Sequence, residues 1–379
     1  MPYITLMQSP MYRQISLDDI LSGQVDVRKM VTYNDTNTRT IFVKNVKQDF
    51  LQQFDIGTMV NSLVRFNRVH DNLFRRKRAD LYDTFYIPKK SGGVRRIDAP
   101  MPELKAALRE LKALMETEMF ALYHTSAFGY VKGRSTVSSI KRHQANQSRW
   151  FLKLDFSNFF GNTTLEFLMK TISNIFPFSE ICKDKTGRVA LQKALSLAFL
   201  NDGLPQGTPI SPMITNLMMI PIDHRLYNTL RDFDDHNFVY TRYADDLLIS
   251  CRYNFEYHKV VKLVQDTLAQ FSAPFSLKDE KTRYGSSAGS NWNLGVMLNK
   301  DNEITIGHKN KARFRAMINN YILDRRSGKL WELHDLQVLM GLHQYYRMVE
   351  PTYIDSVIQF NNDKYRVDVL EMIKRDMAG

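Results

Sequence analysis

Two cysteines in 379 residues, Cys182 and Cys251, are too few for a disulfide framework or a cysteine-rich zinc site, and this usage fits a reducing compartment. The nine histidines stand at no metal-ligand spacing with either cysteine. No stretch reaches the ~18 apolar residues that a membrane-spanning helix needs. Met1 to Gly23 lacks an apolar segment of the secretion-signal type. Internal repeats and low-complexity tracts are missing as well. Acidic charge is in deficit: 52 Lys and Arg face 40 Asp and Glu, a net charge of +12. The expectation is a cytoplasmic globular protein with a polyanionic partner and no membrane partner, because cations that neutralise phosphates gain from counterion release.

The residues that are present suit a sizeable core, with 44% hydrophobic and 12% aromatic content, enough for two or three lobes. A first region, to about residue 80, turns strongly basic at Arg65, Arg68, Arg75, Arg76, Lys77 and Arg78. Phe85 to Pro100 reads as a hairpin around Lys89-Lys90-Ser91-Gly92-Gly93. Pro102 and Glu103 open a helix with Leu104, Leu108, Leu111 and Met115 on one face. Trp150 to Leu154 is a buried strand that ends at Asp155. Thr163 and Glu166 have capping-box spacing for a helix striped by Leu165, Leu168, Ile172 and Ile175. Further helices are expected through Leu191 to Ala198, after an N-cap at Ser211 with Pro212 at N1, and through Val260 to Phe271. From about Lys309 the apolar pattern is helical, first Phe314, Ile318 and Ile322, then Leu333, Leu336, Met340 and His343, with a hinge across Asp324 to Lys329. The fold class is α+β.

Three acids concentrate the chemistry. Asp245 and Asp246 sit at a tight turn between two strand-like segments, Tyr240 to Tyr243 and Leu247 to Cys251. An Asp-Asp turn is common by itself. Here, however, Leu247-Leu248-Ile249 reads as a strand buried on both faces, and acids beside it are costly unless metal or solvent compensates. Asp155 ends another apolar strand far earlier in the chain. Strand ends can gather hard oxygen ligands from distant sequence, as two-metal phosphoryl transfer requires. Asp155 and Asp245 would hold two Mg²⁺ ions (Mn²⁺ is an alternative) roughly 3.5–4 Å apart. The Phe156 carbonyl would add a ligand, and Asp246 would assist. Between the acids lies Leu204-Pro205-Gln206-Gly207-Thr208-Pro209-Ile210-Ser211-Pro212. This set, in this order, points to template-directed nucleotide polymerisation.

Tyr243-Ala244-Asp245-Asp246 and the Pro-Gln-Gly loop resemble the catalytic box and loop of reverse transcriptases. Phe151-Leu152-Lys153-Leu154-Asp155-Phe156-Ser157-Asn158-Phe159-Phe160, Phe128-Gly129-Tyr130-Val131-Lys132-Gly133-Arg134-Ser135, and Ile87-Pro88-Lys89-Lys90 with Arg95-Arg96 match in the same order, from about residue 85 to 300. The Gly-Arg-Ser stretch is most similar to the bacterial branch, which includes retron, group II intron and defence-associated enzymes. The resemblance implies a right-hand polymerase: an N-terminal extension (1–80), fingers (81–150), a palm (151–305) and a helical thumb (306–379). It implies an RNA-directed DNA polymerase, a nucleotidyltransferase acting on RNA template, primer, cDNA and dNTPs, with Asp155, Asp245 and Asp246 catalytic.

The same resemblance assigns Lys89, Arg95, Arg96 and Lys281 to the triphosphate. It assigns Phe160 to a steric gate against a ribose 2′-hydroxyl, and Gln206 and Gly207 to the nascent base pair. Leu294 and Gly295 fall in the primer grip. Lys132 and Arg134, with the N-terminal cations, face nucleic acid. Gly341, Tyr345 and Pro351 fit the thumb. Each assignment competes with a plainer reading: a solvated basic turn, a core phenylalanine, a tight loop, ordinary helix packing.

Some positions depart from the retron pattern. Its Asn-Ala…His signature becomes Ser139-Ile140-Lys141-Arg142-His143, and its Val-Thr-Gly becomes Asn293-Leu294-Gly295. No Cys or His cluster supports a nuclease finger, and no RNase H acid set is evident. The expectation is therefore a stand-alone, defence-associated reverse transcriptase of the unknown groups that copies a dedicated, structured non-coding RNA in antiphage defence. The alternatives are retron-type msDNA synthesis, template-independent or protein-primed DNA synthesis, and an inactive RNA-binding scaffold. Primer type and oligomeric state stay open.

Overall fold

The computed structural model describes residues 55–88, 92–117, 119, 123–233, 237–287 and 295–378. In chain order the elements are α1 (Ile56–Val69), α2 (Asp71–Arg75), β1 (Tyr82–Pro88), β2 (Val94–Pro100), α3 (Pro102–Thr117), α4 (Thr136–Ala145) and β3 (Trp150–Asp155). Next come α5 (Leu165–Ile172), α6 (Phe178–Lys183), α7 (Lys185–Ser196), α8 (Ser211–Met218), α9 (Ile220–Arg231), β4 (Val239–Tyr243), β5 (Asp246–Cys251) and α10 (Tyr257–Gln270). The chain continues through β6 (Arg283–Ser286), β7 (Met297–Leu298), β8 (Ile304–Thr305), α11 (Gly307–Arg326), α12 (Leu333–Val349), α13 (Pro351–Tyr365) and α14 (Val369–Ala378). The class is α+β, as the pattern indicated. Among the described residues no helix is long and apolar enough to cross a membrane.

Packing separates two compact units that interleave along the sequence. One holds the described residues up to Val131 together with Asp155–Asn228 and Val260–Lys278. The other holds Lys132–Leu154, Thr229–Lys259 and everything described from Asp279 on.

In the first unit, Asp55 caps α1 by accepting the Thr58 N–H at 3.0 Å, satisfying one of the orphan donors of a helix start. α1 lies on α7, where Asn67 Nδ2 donates to the Ala190 carbonyl at 2.9 Å. The β1–β2 hairpin pairs Tyr82 with Pro100 through Pro88 with Val94. In α3, the helical stripe Leu104, Leu108, Leu111 and Met115 is fully buried, as its spacing required. Phe156, Phe159 and Phe275 pack ring on ring with centroids 5.0–5.6 Å apart. Helix α5 starts one residue later than its sequence suggests. Thr164, not Thr163, caps it, because the Thr163 hydroxyl is spent on the Phe159 carbonyl at 2.9 Å. Ser211 is likewise the first residue of α8 and not its cap. Its hydroxyl donates to the Pro205 carbonyl at 3.0 Å and braces the Pro-Gln-Gly loop.

The second unit is built on a four-stranded sheet ordered β4-β5-β3-β6. β4 pairs antiparallel with β5, and β3 with β6. The Arg149 N–H, beside the start of β3, donates to the carbonyl of Cys251 at the end of β5. Lys153, near the end of β3, pairs with Asp246 at the start of β5. The two central strands therefore run in opposite directions. Leu247 to Cys251 is buried throughout, the two-sided burial that its unbroken apolar run implied. Phe151 and Leu248 join one core with Phe314, Ile318, Ile322, Leu336 and Leu339 of the C-terminal helices.

Candidate active site

The acidic hairpin has the geometry its sequence suggested. Tyr243 and Asp246 are cross-strand partners, which leaves Ala244 and Asp245 as a two-residue turn. Ala244 has φ 57°, a left-handed conformation that costs a residue with a side chain about 1–2 kcal/mol. Such strain survives only where the surroundings impose it, and it concentrates at functional sites. Here the constraint is Arg242, whose side chain is fully buried and whose Nη1 donates to the Ala244 carbonyl at 3.0 Å. Asp246 is also fixed: its Oδ2 lies 2.9 Å from Lys153 Nζ, each side chain being 19% exposed. The hairpin thus presents two adjacent carboxylates, one neutralised by a lysine from the neighbouring strand. Lys153 and Arg242 escaped the reading of the sequence.

Asp155 closes β3, is only 6% exposed and packs with the first unit. Its carbonyl accepts the Lys278 N–H at 2.9 Å, and Phe156 bridges to Leu277. The Phe156 side chain is core, so any role at a metal falls to its carbonyl.

The same unit draws together most residues expected at the nucleotide. Alternation on β2 puts Arg95 on the face of Ile97 and Arg96 on the face of Asp98. Asp98 accepts from Arg96 Nε at 2.8 Å and from the Thr84 hydroxyl at 2.7 Å. Its own N–H donates to the Gln206 carbonyl at 3.0 Å. Gly207, at φ 121°, approaches so closely that a Cβ would lie 3.1 Å from the Asp98 carbonyl oxygen. Only glycine meets both conditions at low cost. The Leu204 N–H donates to the Phe160 carbonyl at 2.9 Å, tying Phe160, the expected gate, to the loop that carries Gln206. Arg96, Phe160, Gln206 and Gly207 are thereby laced into one arrangement, with Asp98 as an unanticipated joint.

Other expected site residues are placed singly. Lys281 is exposed at the end of a short 3-10 turn. Lys132 is exposed and Arg134 half-buried. Gly295, at φ 98°, faces the Tyr345 ring, where a Cβ would stand 3.6 Å from Cε1. Lys89 and Leu294 lie outside the described residues. Among the N-terminal cations, Arg75 binds Asp71 at 2.7 Å and Arg76 binds Glu103 at 3.0 Å. Burial lowers the Arg78 guanidinium below its usual range. Arg65, Arg68 and Lys77 remain exposed to solvent. Half of that basic run is therefore engaged within the protein.

The carboxylates offer hard oxygen donors, the chemistry that suits a divalent cation and not a soft one. Among the described residues no group of three His, Cys, Asp or Glu is close enough to hold a metal ion.

Comparison with known proteins follows the same residues. Residues 87–312 match the family of reverse transcriptases (RNA-dependent DNA polymerases). Retron Ec83 reverse transcriptase of Escherichia coli is 27% identical over 324 residues, covering 82% of this chain and 95% of the relative. Retron Ec73 reverse transcriptase of Escherichia coli is 26% identical over 74% of this chain and 85% of its own. Retron Mx65 reverse transcriptase of Myxococcus xanthus is 30% identical over 73% of this chain and 63% of its own.

Proposed function

Because the chain belongs to the reverse transcriptase family, and is therefore an RNA-directed DNA polymerase with that family's right-hand fold, we propose that it copies one dedicated, structured RNA into DNA in the retron manner. The observation that carries this reading is a match spanning 95% of a retron enzyme's length. Structured RNA would be recognised through phosphates, shape and unpaired bases, which suits the +12 net charge. Arg65, Arg68, Lys77, Lys132 and Arg134 are the proposed contacts. The setting is the bacterial cytoplasm, and the biological role is antiphage defence.

The family's chemistry requires a divalent cation, and Mg²⁺ is our candidate; Asp155, the Phe156 carbonyl, Asp245 and Asp246 are the residues that would have to gather around it, since no three acids among the described residues form a metal site as they stand. Bound there, it would supply positive charge to the reacting phosphate and to the primer hydroxyl. Lys153 meanwhile fixes the Asp246 carboxylate in place. Arg95 and Arg96, with Lys89 and Lys281, neutralise the incoming triphosphate. Phe160 excludes a 2′-hydroxyl, Gln206 and Gly207 support the new base pair, and Leu294 and Gly295 hold the primer end.

A second reading is a stand-alone defence enzyme whose cDNA is not joined to its RNA. The replacements at Ser139, Ile140, Asn293 and Leu294 favour it. Purifying the protein from its host and sequencing the bound RNA and new DNA tests both. A single enriched RNA carrying covalently attached DNA supports the retron manner, and free cDNA from one RNA supports the second reading. A random sample of cellular transcripts overturns both.

A further inference from the structure

Helix α4 follows Gly133-Arg134-Ser135 directly and is anchored by the Ser135 capping box. Its residues Ser139 and His143 stand one turn apart and meet the acidic hairpin. His143 Nδ1 lies 2.6 Å from Ser250 Oγ on β5, and Nε2 lies 2.8 Å from Thr241 Oγ1 on β4. Ser139 Oγ donates to the same Thr241 oxygen at 3.0 Å. All of these groups are buried, and the imidazole packs against the Phe151 ring of β3 at 5.7 Å. The next residue, Gln144, grips a different hairpin: its Nε2 donates to the Asn302 carbonyl at 2.8 Å, and Asn302 Nδ2 returns a bond at 2.9 Å to the Gln144 carbonyl. Asn302 stands in the β7–β8 turn, shortly beyond Gly295.

The register makes this more than filler. Thr241 pairs with Leu248 and Val239 with Ser250, so Thr241 and Ser250 are diagonal neighbours. A bridge across a diagonal resists sliding of one strand along the other, whereas direct cross-strand pairs resist mainly their separation. Thr241 stands four residues before Asp245, and Ser250 four residues after Asp246. At roughly 3.3 Å per residue, slippage at the clamp reaches the turn undiminished along about 13 Å of stiff strand. A fully satisfied buried polar network specifies one arrangement where apolar packing would tolerate several.

We propose that His143 is a positioning residue for DNA synthesis, fixing the register of the β4–β5 hairpin and with it the Asp245 and Asp246 carboxylates, while Gln144 sets the β7–β8 turn from the same helix. The proposal rests on those carboxylates being catalytic. An Asp245→Ala control, which must be inactive, separates failure of that premise from failure of this inference.

The test compares His143→Phe, which keeps bulk and aromatic packing, with His143→Gln, which keeps a donor and an acceptor. Thr241→Val/Ser250→Ala removes the partner hydroxyls and leaves the histidine. For each variant, kcat and the dNTP KM are measured on an RNA template with a DNA primer. Template–primer affinity is measured by fluorescence anisotropy, and folded fraction by circular dichroism. Misplacing a catalytic group by about 1 Å can cost about 100-fold. The expected result is a 10- to 100-fold loss of kcat per folded molecule in His143→Phe and in the double variant, by that same reasoning. The KM and the duplex affinity should stay within about threefold, with partial recovery in His143→Gln. Wild-type kcat in folded His143→Phe would overturn the proposal. So would kcat and duplex affinity falling in parallel. Should His143→Phe fail to fold, the double variant decides by the same criteria.

Discussion

Acid should destabilise this protein through one buried imidazole. Burial, and secondarily the charge of Arg142, pushes His143 down from 6.5 to about 3. The groups facing it are the Ser250 and Thr241 hydroxyls and the Phe151 ring, none of which carries a negative charge to offset an imidazolium. The unfolded chain takes up a proton below pH 6.5 while the folded chain refuses it. The contribution is therefore fully present above 6.5 and is lost as pH falls from there toward 3. Between pH 7.5 and 5.0 the linkage integral comes to about 2 kcal/mol from this residue alone.

The assay is urea unfolding, followed by circular dichroism at both pH values, for the wild type and His143→Gln. Other titrating groups contribute equally to both proteins and cancel in the comparison. The wild type should lose about 2 kcal/mol more than the variant over this interval. Equal losses would mean that His143 is protonated in the fold or exposed to solvent, and would refute the reasoning. If His143→Gln is too unstable to measure, Ser250→Ala, which keeps the imidazole buried, should retain the wild-type slope.

Other substitutions probe the rest of the site. Asp245→Ala/Asp246→Ala should abolish dNTP incorporation while RNA affinity, read by filter binding, changes less than about twofold, since the proposed phosphate contacts lie elsewhere. Phe160→Ala should raise rNTP incorporation relative to dNTP about tenfold or more in single-nucleotide extension; unchanged discrimination would return Phe160 to the core. Gly203→Ala would set a Cβ 2.3 Å from the Gly161 carbonyl oxygen, backbone that cannot step aside. The expected cost in thermal unfolding is about 1–3 kcal/mol. Gly341→Ala, in mid-helix with open space around the new methyl, should instead stabilise by about 0.5–1 kcal/mol.

The parts legible in the sequence were those whose cause is local. The two-sided burial of β5 follows from an unbroken apolar run, and the helix at Pro102 from a period and a start signal. The acidic turn follows from two short strands around it. Catalytic family membership was equally readable, because each motif is a contiguous string. Features depending on distant partners were not. Lys153 meets an acid 93 residues away, and nothing beside either residue announces it. Arg242 reads as a polar interruption in a strand, and its bond to the buried turn carbonyl gives it a structural role. The cap of α5 slipped by one because two adjacent threonines compete and the Phe159 carbonyl decides between them. The Arg76–Glu103 pair, 27 residues apart, could not be read locally, although the Arg75–Asp71 pair, four residues apart, was visible in advance. The retron likeness also ran deeper than the altered Ser139-Ile140 and Asn293-Leu294 positions suggested, since it is spread thinly along most of the chain.

Asp98 makes the base of the β1–β2 arm and the Pro-Gln-Gly loop a single lever. Its side chain steers a guanidinium while its amide is bolted to the Gln206 carbonyl. A tilt of the β1–β2 arm cannot occur without tugging on the Gln206–Gly207 segment. On the proposed assignments of Arg96 and Gln206, gripping the triphosphate and supporting its base would be one motion, carried through a single peptide group.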